Sequence, residues 1–184
     1  VYGQKEKKSI SVGDILNPLS PYGNSKRIAE ILSEFYAKHY NLKISIVRLF
    51  SLYGPGLKKQ LLWDACIKAK LDNHVYSGTG LEMRDWINID DAASLLLLAL
   101  ENASSKLTIL NGGVGKATSI QEVLTILYKK IGINSKPRFS GLVREGDPFF
   151  YEADIKEALS LGWEPKKDLE DGIDEYVRWF KNLN

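Results

Sequence analysis

The sequence is poor in the residues that form disulfides and metal sites. It contains one cysteine, Cys66, so no internal disulfide can form and a reducing compartment such as the cytoplasm is expected. The two histidines, His39 and His74, stand far apart and have no partner at the spacing of metal ligands, so we predict no metal site. Cys66 lies among helical positions, and we interpret it as a small buried hydrophobic residue rather than a nucleophile.

Long hydrophobic runs and a strong net charge are also missing. The longest apolar run covers residues 95–100, far short of the ~20 residues of a membrane span, and the start shows no signal-peptide pattern. A net charge of +2 gives no reason to expect a nucleic-acid partner. With 44% hydrophobic and 26% charged residues, the 184 residues have the composition of a globular protein that can bury a stable core.

A glycine-rich loop that could hold a pyrophosphate is absent as well. No Gly-x-Gly-x-x-Gly occurs, and the nearest stretch, Asn111–Gly115, comes late and lacks the spacing. The first residue is Val1 rather than a methionine.

What the sequence does contain is alternating helical and strand patterns. Apolar residues at i, i+3, i+4, i+7 and i+8 predict an amphipathic helix over residues 25–40, ended by Asn41. The nearly continuous apolar run over 43–50 predicts a parallel strand that is covered on both faces. A helix followed by a buried strand is half of a βαβ unit, so the predicted fold class is α/β.

The rest of the chain continues this alternation. Residues 92–100 are apolar almost all round, which predicts a buried helix capped by Asp90 or Asp91. A capping box at Ser119 begins another helix that Gly132 ends. Further helices are predicted over 60–71, 154–161 and 168–180, and short strands over 75–77, 85–89, 107–110 and 136–142. The aromatic residues of the last helices, among them Trp163, Tyr176 and Phe180, are interpreted as core.

The first of these helices carries a tyrosine and a lysine four residues apart. Because Lys26 follows Tyr22 by about one helical turn, phenol and ammonium share a face. The pKa of a free tyrosine is near ~10, and a neighbouring cation favours the phenolate, as a proton-abstracting tyrosine requires. The alternative is a solvated surface pair with no chemical role.

Five stretches resemble the extended short-chain dehydrogenase/reductase family, and more narrowly its NAD-dependent nucleotide-sugar epimerases and dehydratases. The stretches are Ser20–Lys26, with the Tyr-x-x-x-Lys spacing, Val1–Gly3, Arg48–Pro55, Arg84–Asp91 and Arg144–Trp163. The resemblance implies the C-terminal part of a Rossmann-like parallel sheet with helices, plus a small mixed α/β substrate-binding domain. Residues 1–56 and about 85–113 would form the Rossmann-like part, and about 57–84 and 114–184 the substrate domain.

In that family, Val-Tyr-Gly closes a central strand and follows the segment that carries the third catalytic residue, a serine or threonine. The resemblance therefore implies that the 184 residues are a C-terminal portion without the glycine-rich half. Tyr22 and Lys26 would be catalytic and would also contact the cofactor.

The resemblance also assigns roles at the end of the predicted 43–50 strand. Phe50 and Ser51 would contact the cofactor, and Ser51 also the sugar. The family has asparagine where this chain has Ser51, which removes one donor and some reach. For Phe50 and Tyr53, packing in the core is an equally acceptable interpretation.

Two arginines would bind the diphosphate of the substrate. Arg84 and Arg144 match the family's phosphate-binding arginines, with Asp147 in the second motif, and a guanidinium suits this ligand because its planar fork makes bidentate contacts. The alternative for Arg84 is a surface ion pair with Asp85 or Glu82.

The function implied is C4 epimerisation of a nucleotide-diphosphate sugar with NAD, or alternatively NADP, as cofactor. The same residues suit a 4-keto reductase or a 4,6-dehydratase, and a non-catalytic binding protein of the same fold is the remaining alternative. The resemblance further implies a homodimer in the full-length parent.

Overall fold

The computed structural model describes residues 1–5, 9–142 and 148–183. Its helices are α1 Pro21–Tyr40, α2 Gln60–Lys70, α3 Ile89–Glu101, α4 Ile120–Ile131, α5 Lys156–Ser160 and α6 Leu169–Lys181. Its strands are β1 Ser45–Leu49, β2 Ser51–Tyr53, β3 Val75–Tyr76, β4 Met83–Asn88, β5 Thr108–Gly112, β6 Ala117–Ser119 and β7 Arg138–Phe139. Among these residues no helix has the length and hydropathy of a membrane span.

Parallel pairing dominates the sheets and confirms the predicted α/β class. β1 pairs with β5, β2 with β4, and β3 with β7, all parallel. β6 joins the other edge of β4 in the antiparallel sense. The register sets Ser51 opposite Trp86 and Tyr53 opposite Asn88, so β2 runs beside the carboxyl-terminal half of β4 and the two strands end together.

The ends of α4 follow the predicted capping chemistry, whereas the start of α3 does not. The Ser119 hydroxyl accepts from the Glu122 N–H, and Gly132 ends α4 in the left-handed conformation, as predicted. For α3 the predicted cap is wrong, because β4 runs directly into the helix and Asn88 caps it by accepting from the Asp90 N–H. The Asp91 carboxylate instead accepts from two backbone N–H groups of residues 166 and 167.

Two hydrophobic clusters hold the fold together. We call the larger one the helical core; it joins α2, α4 and α6 with residues of β2, β3 and β4. The smaller cluster packs α3 and α5 against β4 and β5 and includes Trp163. Cys66 lies in the helical core, where burial raises the pKa of its thiol to about 12, so its interpretation as a buried hydrophobic residue is confirmed.

Two predictions of burial fail, and the apolar face of α1 is exposed as well. α3 is not buried all round, because Leu96, Leu97 and Leu100 are 49%, 64% and 68% exposed. The strand predicted over 43–50 is not covered on both faces, since β1 is only half-buried. We call the apolar residues at 28, 31, 32, 35 and 36 the α1 stripe; they are between 47% and 57% exposed. A sequence period shows which residues share a face, but not what covers that face.

Candidate active site

Tyr22 and Lys26 lie in the first turns of α1, on one face, as their spacing predicts. The Ser20 hydroxyl caps the helix by accepting from the Gly23 N–H at 3.0 Å, and Pro21 occupies the first turn, where its missing N–H costs nothing. The Lys26 Nζ lies 5.3 Å from the centre of the Tyr22 ring. Tyr22 is 72% exposed, so its hydroxyl is open to a ligand.

The packing of α1 on β1 sets the end of the sheet at which this pair lies. α1 ends at Tyr40 and β1 begins at Ser45, and the two elements meet again where Glu30 contacts Arg48. Helix and strand therefore run antiparallel. The N-terminal turn of α1, with Tyr22, lies toward the carboxyl end of β1, where open α/β sheets bind their ligands.

Arg48 joins this helix to the strand and to the N-terminal segment. Its Nε and Nη2 donate to the two Glu30 carboxylate oxygens at 2.8 and 2.9 Å. Its Nη1 donates to the Tyr2 hydroxyl at 2.8 Å and to the Val12 carbonyl at 3.0 Å. The Tyr2 hydroxyl then donates to the Asn111 side-chain oxygen on β5 at 2.6 Å. Burial raises the pKa of Tyr2, although these hydrogen bonds oppose the rise.

Neither Arg48 nor Glu30 has a role that the sequence motifs predict. A signal was available, because an arginine within the apolar run of a predicted buried strand needs a buried acceptor. The sequence does not say which of the acidic residues supplies it.

Phe50 and Ser51 follow Arg48 at the junction of β1 and β2. The Phe50 ring lies 6.3 Å from that of Tyr2 and 5.8 Å from that of Tyr151, so it packs between two aromatic side chains. Tyr53 is almost fully buried in the helical core, and burial raises the pKa of its hydroxyl. For Tyr53 the structure supports the packing interpretation, whereas the contacts of Phe50 and Ser51 with a cofactor stay predictions.

Arg84 lies on β4, two residues before the partner of Ser51. Its Nη1 donates to the Met83 carbonyl at 2.8 Å. Asp85 is fully buried, so it does not form the surface pair considered as an alternative. Glu82 accepts from the Thr79 and Gly80 N–H groups, and these bonds outweigh burial and hold the pKa of its carboxyl below the usual value.

The Asp85 carboxylate connects three segments of the chain. It accepts from the backbone N–H groups of Val114 at 2.6 Å, Gly115 at 2.9 Å and Ala153 at 3.0 Å. Burial nevertheless raises its pKa to about 6. This second residue of the Arg-Asp motif therefore fixes the backbone around Arg84.

Residues 148–154 connect β4 to the segment that leads into α1. The Met83 N–H donates to the Phe149 carbonyl, and the Ile10 N–H donates to the Glu152 carbonyl, both at 2.8 Å. The Tyr151 hydroxyl donates to the Gly3 carbonyl. Residues 148–154 therefore hold both β4, which carries Arg84, and the N-terminal residues that precede Tyr22. Arg144 and Asp147 lie outside the described residues.

The described residues contain no group of three or more His, Cys, Asp or Glu side chains placed to hold a metal ion. His74 is a buried loop residue. It bonds the Tyr128 hydroxyl through Nδ1 and the Asp72 carboxylate through Nε2, each at 3.0 Å. It belongs to the packing of the helical core.

A parallel sheet whose strands end beside an exposed Tyr-x-x-x-Lys pair is the arrangement of a Rossmann-like short-chain dehydrogenase/reductase. Residues 1–113 match the model of the NAD dependent epimerase/dehydratase family. The chain belongs to this family.

Curated relatives and solved structures agree with this assignment. A UDP-glucuronate 4-epimerase of Thermodesulfobacterium geofontis is 34% identical over 89% of this chain and 51% of its own length. A dTDP-glucose 4,6-dehydratase of an Actinoplanes species is 30% identical over 98% of this chain and 57% of its own length. A crystal structure of the UDP-glucuronic acid 4-epimerase of Bacillus cereus, in complex with UDP-glucuronic acid and NAD, superposes with a TM-score of 0.90 at 30% identity. It covers all of this chain and 59% of the Bacillus protein.

The chain therefore spans between half and three fifths of the length of these relatives. The similarity in fold extends over the whole chain, whereas the family model matches its first 113 residues.

Proposed function

We propose that these residues belong to an NAD-dependent enzyme that epimerises a nucleotide sugar at C4 through a 4-keto intermediate. The observation that carries the proposal is the placement of the Lys26 ammonium 5.3 Å from the ring of an exposed Tyr22, at the carboxyl end of β1. A tyrosine paired with a cation at that end of the sheet suits the removal of a proton from a sugar hydroxyl.

The residues have separate roles in the proposed reaction. The Tyr22 phenolate takes the proton of the sugar O4 hydroxyl and later returns it. Lys26 places a positive charge 5.3 Å from the centre of the Tyr22 ring and supplies a donor for a ribose hydroxyl. NAD, when bound, accepts the hydride from C4 and gives it back to the other face of the ketone after the sugar has turned. The net result is inversion at C4 with no net oxidation.

Three residues at this end of the sheet fit such a cofactor and substrate, with Lys26 exposed and Phe50 and Ser51 half-buried. The Ser51 hydroxyl and the Lys26 ammonium are donors suited to ribose and sugar hydroxyls, and Phe50 offers an apolar ring beside them. We propose that Arg84, Arg144 and Asp147 bind the diphosphate of the nucleotide sugar, as the family resemblance implies.

We further propose that the 184 residues alone bind NAD poorly and are inactive. They contain no Gly-x-Gly-x-x-Gly to hold the pyrophosphate, and they span at most about three fifths of the relatives compared above. Calorimetric titration of the 184-residue chain with NAD tests this proposal. Affinity in the micromolar range would contradict it.

A 4,6-dehydratase is the second candidate, because one relative carries that name at 30% identity. A 4-keto reductase would use the same tyrosine and lysine. The cofactor separates the reductase from the other two, since a reductase consumes NADPH whereas an epimerase or a dehydratase regenerates NAD in each turnover. The product separates the dehydratase from the epimerase. A dehydratase releases water and gives a 4-keto-6-deoxy sugar. A homodimer of the complete gene product is also part of the proposal, by resemblance.

The decisive experiment compares two tyrosines of the same helix in the complete gene product. Tyr22→Phe removes the proposed base and should lower the turnover number by about 10²- to 10⁴-fold, the usual contribution of a general base. Tyr40→Phe is the matched control, because Tyr40 is also exposed but lies at the other end of α1. It should leave turnover unchanged. If Tyr22→Phe turns over like the wild type, Tyr22 is not the base. If the wild-type gene product shows no turnover, the non-catalytic binding function takes precedence.

A further inference from the structure

Glu30 lies on the same face of α1 as the proposed catalytic pair, Tyr22 and Lys26. Tyr22, Lys26 and Glu30 follow one another at intervals of four residues, which places them in one row along the helix. At one end of the row Tyr22 is 72% exposed, whereas at the other end Glu30 is 8% exposed. The row therefore has a free end and a fixed end.

The fixed end is held by a bidentate contact with Arg48. Both Glu30 oxygens accept from this guanidinium, and its remaining nitrogen, Nη1, donates to the Tyr2 hydroxyl and the Val12 carbonyl. Two parallel N–H···O bonds fix the relative rotation of the groups as well as their distance. The contact therefore fixes both the position of α1 along β1 and the rotation of α1 about its own axis.

The contact is also close to the cofactor end of the strand. Arg48 precedes Phe50 by two residues and Ser51 by three, which is about 7–10 Å along an extended strand. Tyr22 is eight residues from Glu30, or about 12 Å along the helix. A small rotation of α1 about this contact would move the Tyr22 hydroxyl relative to Ser51.

Stability alone is a weak explanation for this pair. A buried ion pair is often no more stabilising than apolar residues of the same volume, because both charges lose water. On α6, by contrast, the pair of Asp174 and Arg178 is exposed and joins two residues of one helix, so it positions nothing beyond it.

We propose that Glu30 and Arg48 are positioning residues, which hold Tyr22 and Lys26 at the distance from Phe50 and Ser51 that the reaction needs. This inference rests on the proposed function. A misplacement of about 1 Å at a reacting group can cost about 10²-fold in rate, so loosening the contact should act on the chemical step.

The test measures kcat and KM of the complete gene product with Glu30→Gln and Arg48→Lys. Both variants keep a similar volume and lose the bidentate charged contact. We expect kcat to fall by about 10- to 100-fold, with the KM for the nucleotide sugar within about threefold of the wild type. Asp174→Asn, which breaks the exposed pair on α6, is the matched control and should change neither constant.

A double-mutant cycle separates positioning from loss of folded protein. In a Tyr22→Phe background, Glu30→Gln should lower the residual turnover by much less than it does alone, because it acts through Tyr22. A merely structural effect of Glu30→Gln would lower turnover by the same factor with Tyr22 and with Phe at that position. Equal factors would therefore overturn the inference. If these variants fail to fold, Glu30→Asp keeps the charge but shortens the side chain by one methylene and so disturbs the bidentate contact; a kcat equal to that of the wild type would then overturn the inference.

The two proposals fail in different ways. Unchanged turnover of Tyr22→Phe would refute the proposed function. A strong loss with Tyr22→Phe, together with wild-type kcat for folded Glu30→Gln and Arg48→Lys, would refute only the positioning role.

Discussion

The helical core and the α1 stripe are built from the same sequence pattern and have opposite surroundings. Along α4, Val123, Leu124 and Leu127 recur at the helical spacing and have no exposed surface. Along α1, Ile31, Leu32 and Phe35 recur in the same way and are about half-exposed. Both helices are amphipathic, but only α4 meets partners, α2 and α6, that cover its apolar face.

This difference shows that the regions depend on the rest of the fold to different degrees. The helical core buries its large side chains with residues that this chain itself supplies. On α1 the only large side chain that is buried is that of Glu30, which contacts Arg48; the buried apolar residue of this helix is the small Ala37. The region proposed to carry the chemistry is thus positioned by hydrogen bonds more than by packing.

The largest expected effect comes from deleting the same apolar volume in the two regions. Leu127→Ala leaves a cavity in the helical core and should lower the free energy of unfolding by about 2–5 kcal/mol. Leu32→Ala removes a side chain that is 52% exposed and should cost less than about 1 kcal/mol. Urea unfolding of the 184-residue chain, followed by circular dichroism, measures both.

If Leu32→Ala and Leu127→Ala lowered the free energy of unfolding equally, the α1 stripe would have to be covered in solution. Repeating the Leu32→Ala measurement at two protein concentrations identifies self-association, because a covering second copy would make the midpoint depend on concentration.

The next effect concerns Asp85, whose strand β4 contributes to both hydrophobic clusters. Burial raises its pKa from 3.8 to about 6, so the folded state favours the protonated carboxyl. Stability from this group is therefore fully present below about pH 4 and is lost as the pH rises through about 6. A shift of that size corresponds to about 3 kcal/mol.

Asp85→Asn should remove this pH dependence. Relative to the wild type, the variant should gain about 3 kcal/mol in free energy of unfolding between pH 4 and pH 7. Urea unfolding of both proteins across this range measures the difference. If the difference in free energy of unfolding between the two proteins stayed constant from pH 4 to pH 7, the three backbone N–H donors would compensate for the burial of Asp85, and its pKa would not be raised.

The sequence predicted best those features that depend on neighbours along the chain. Ser119 and Gly132 define the start and the end of α4, and Asp168 caps the start of α6. The shared face of Tyr22 and Lys26 follows from helical geometry alone. Three-residue β6 was missed, because so short a segment has no period to detect.

Contacts between distant parts of the chain were beyond the reach of the sequence. Tyr2 bonds Asn111, and Ile10 pairs with Ala153, although more than a hundred residues separate each pair. Nothing in a single sequence says that Glu30, rather than another acidic residue, neutralises Arg48. The motif therefore predicted which residues are chemically suited to the site, and the structure supplied the contacts that fix their positions.

The smallest expected effect compares the helix caps of the two regions. Ser119 and Ser20 cap α4 and α1 through equivalent bonds, to the N–H groups of Glu122 at 3.1 Å and Gly23 at 3.0 Å. Ser119→Ala should lower the free energy of global unfolding by about 1 kcal/mol, because α4 unfolds only with the helical core. Ser20→Ala loses the same bond, but α1 can open locally before the core does.

Ser20→Ala should therefore leave the urea midpoint of the 184-residue chain nearly unchanged and speed hydrogen exchange in the first turns of α1. Native-state exchange followed by mass spectrometry resolves that turn. An equal loss of global stability from the two caps would show that α1 and the helical core unfold as one unit. In that case the exposed α1 stripe would not mark a separate, less stable region, and the hydrogen bonds of Arg48 would couple the site to the whole fold.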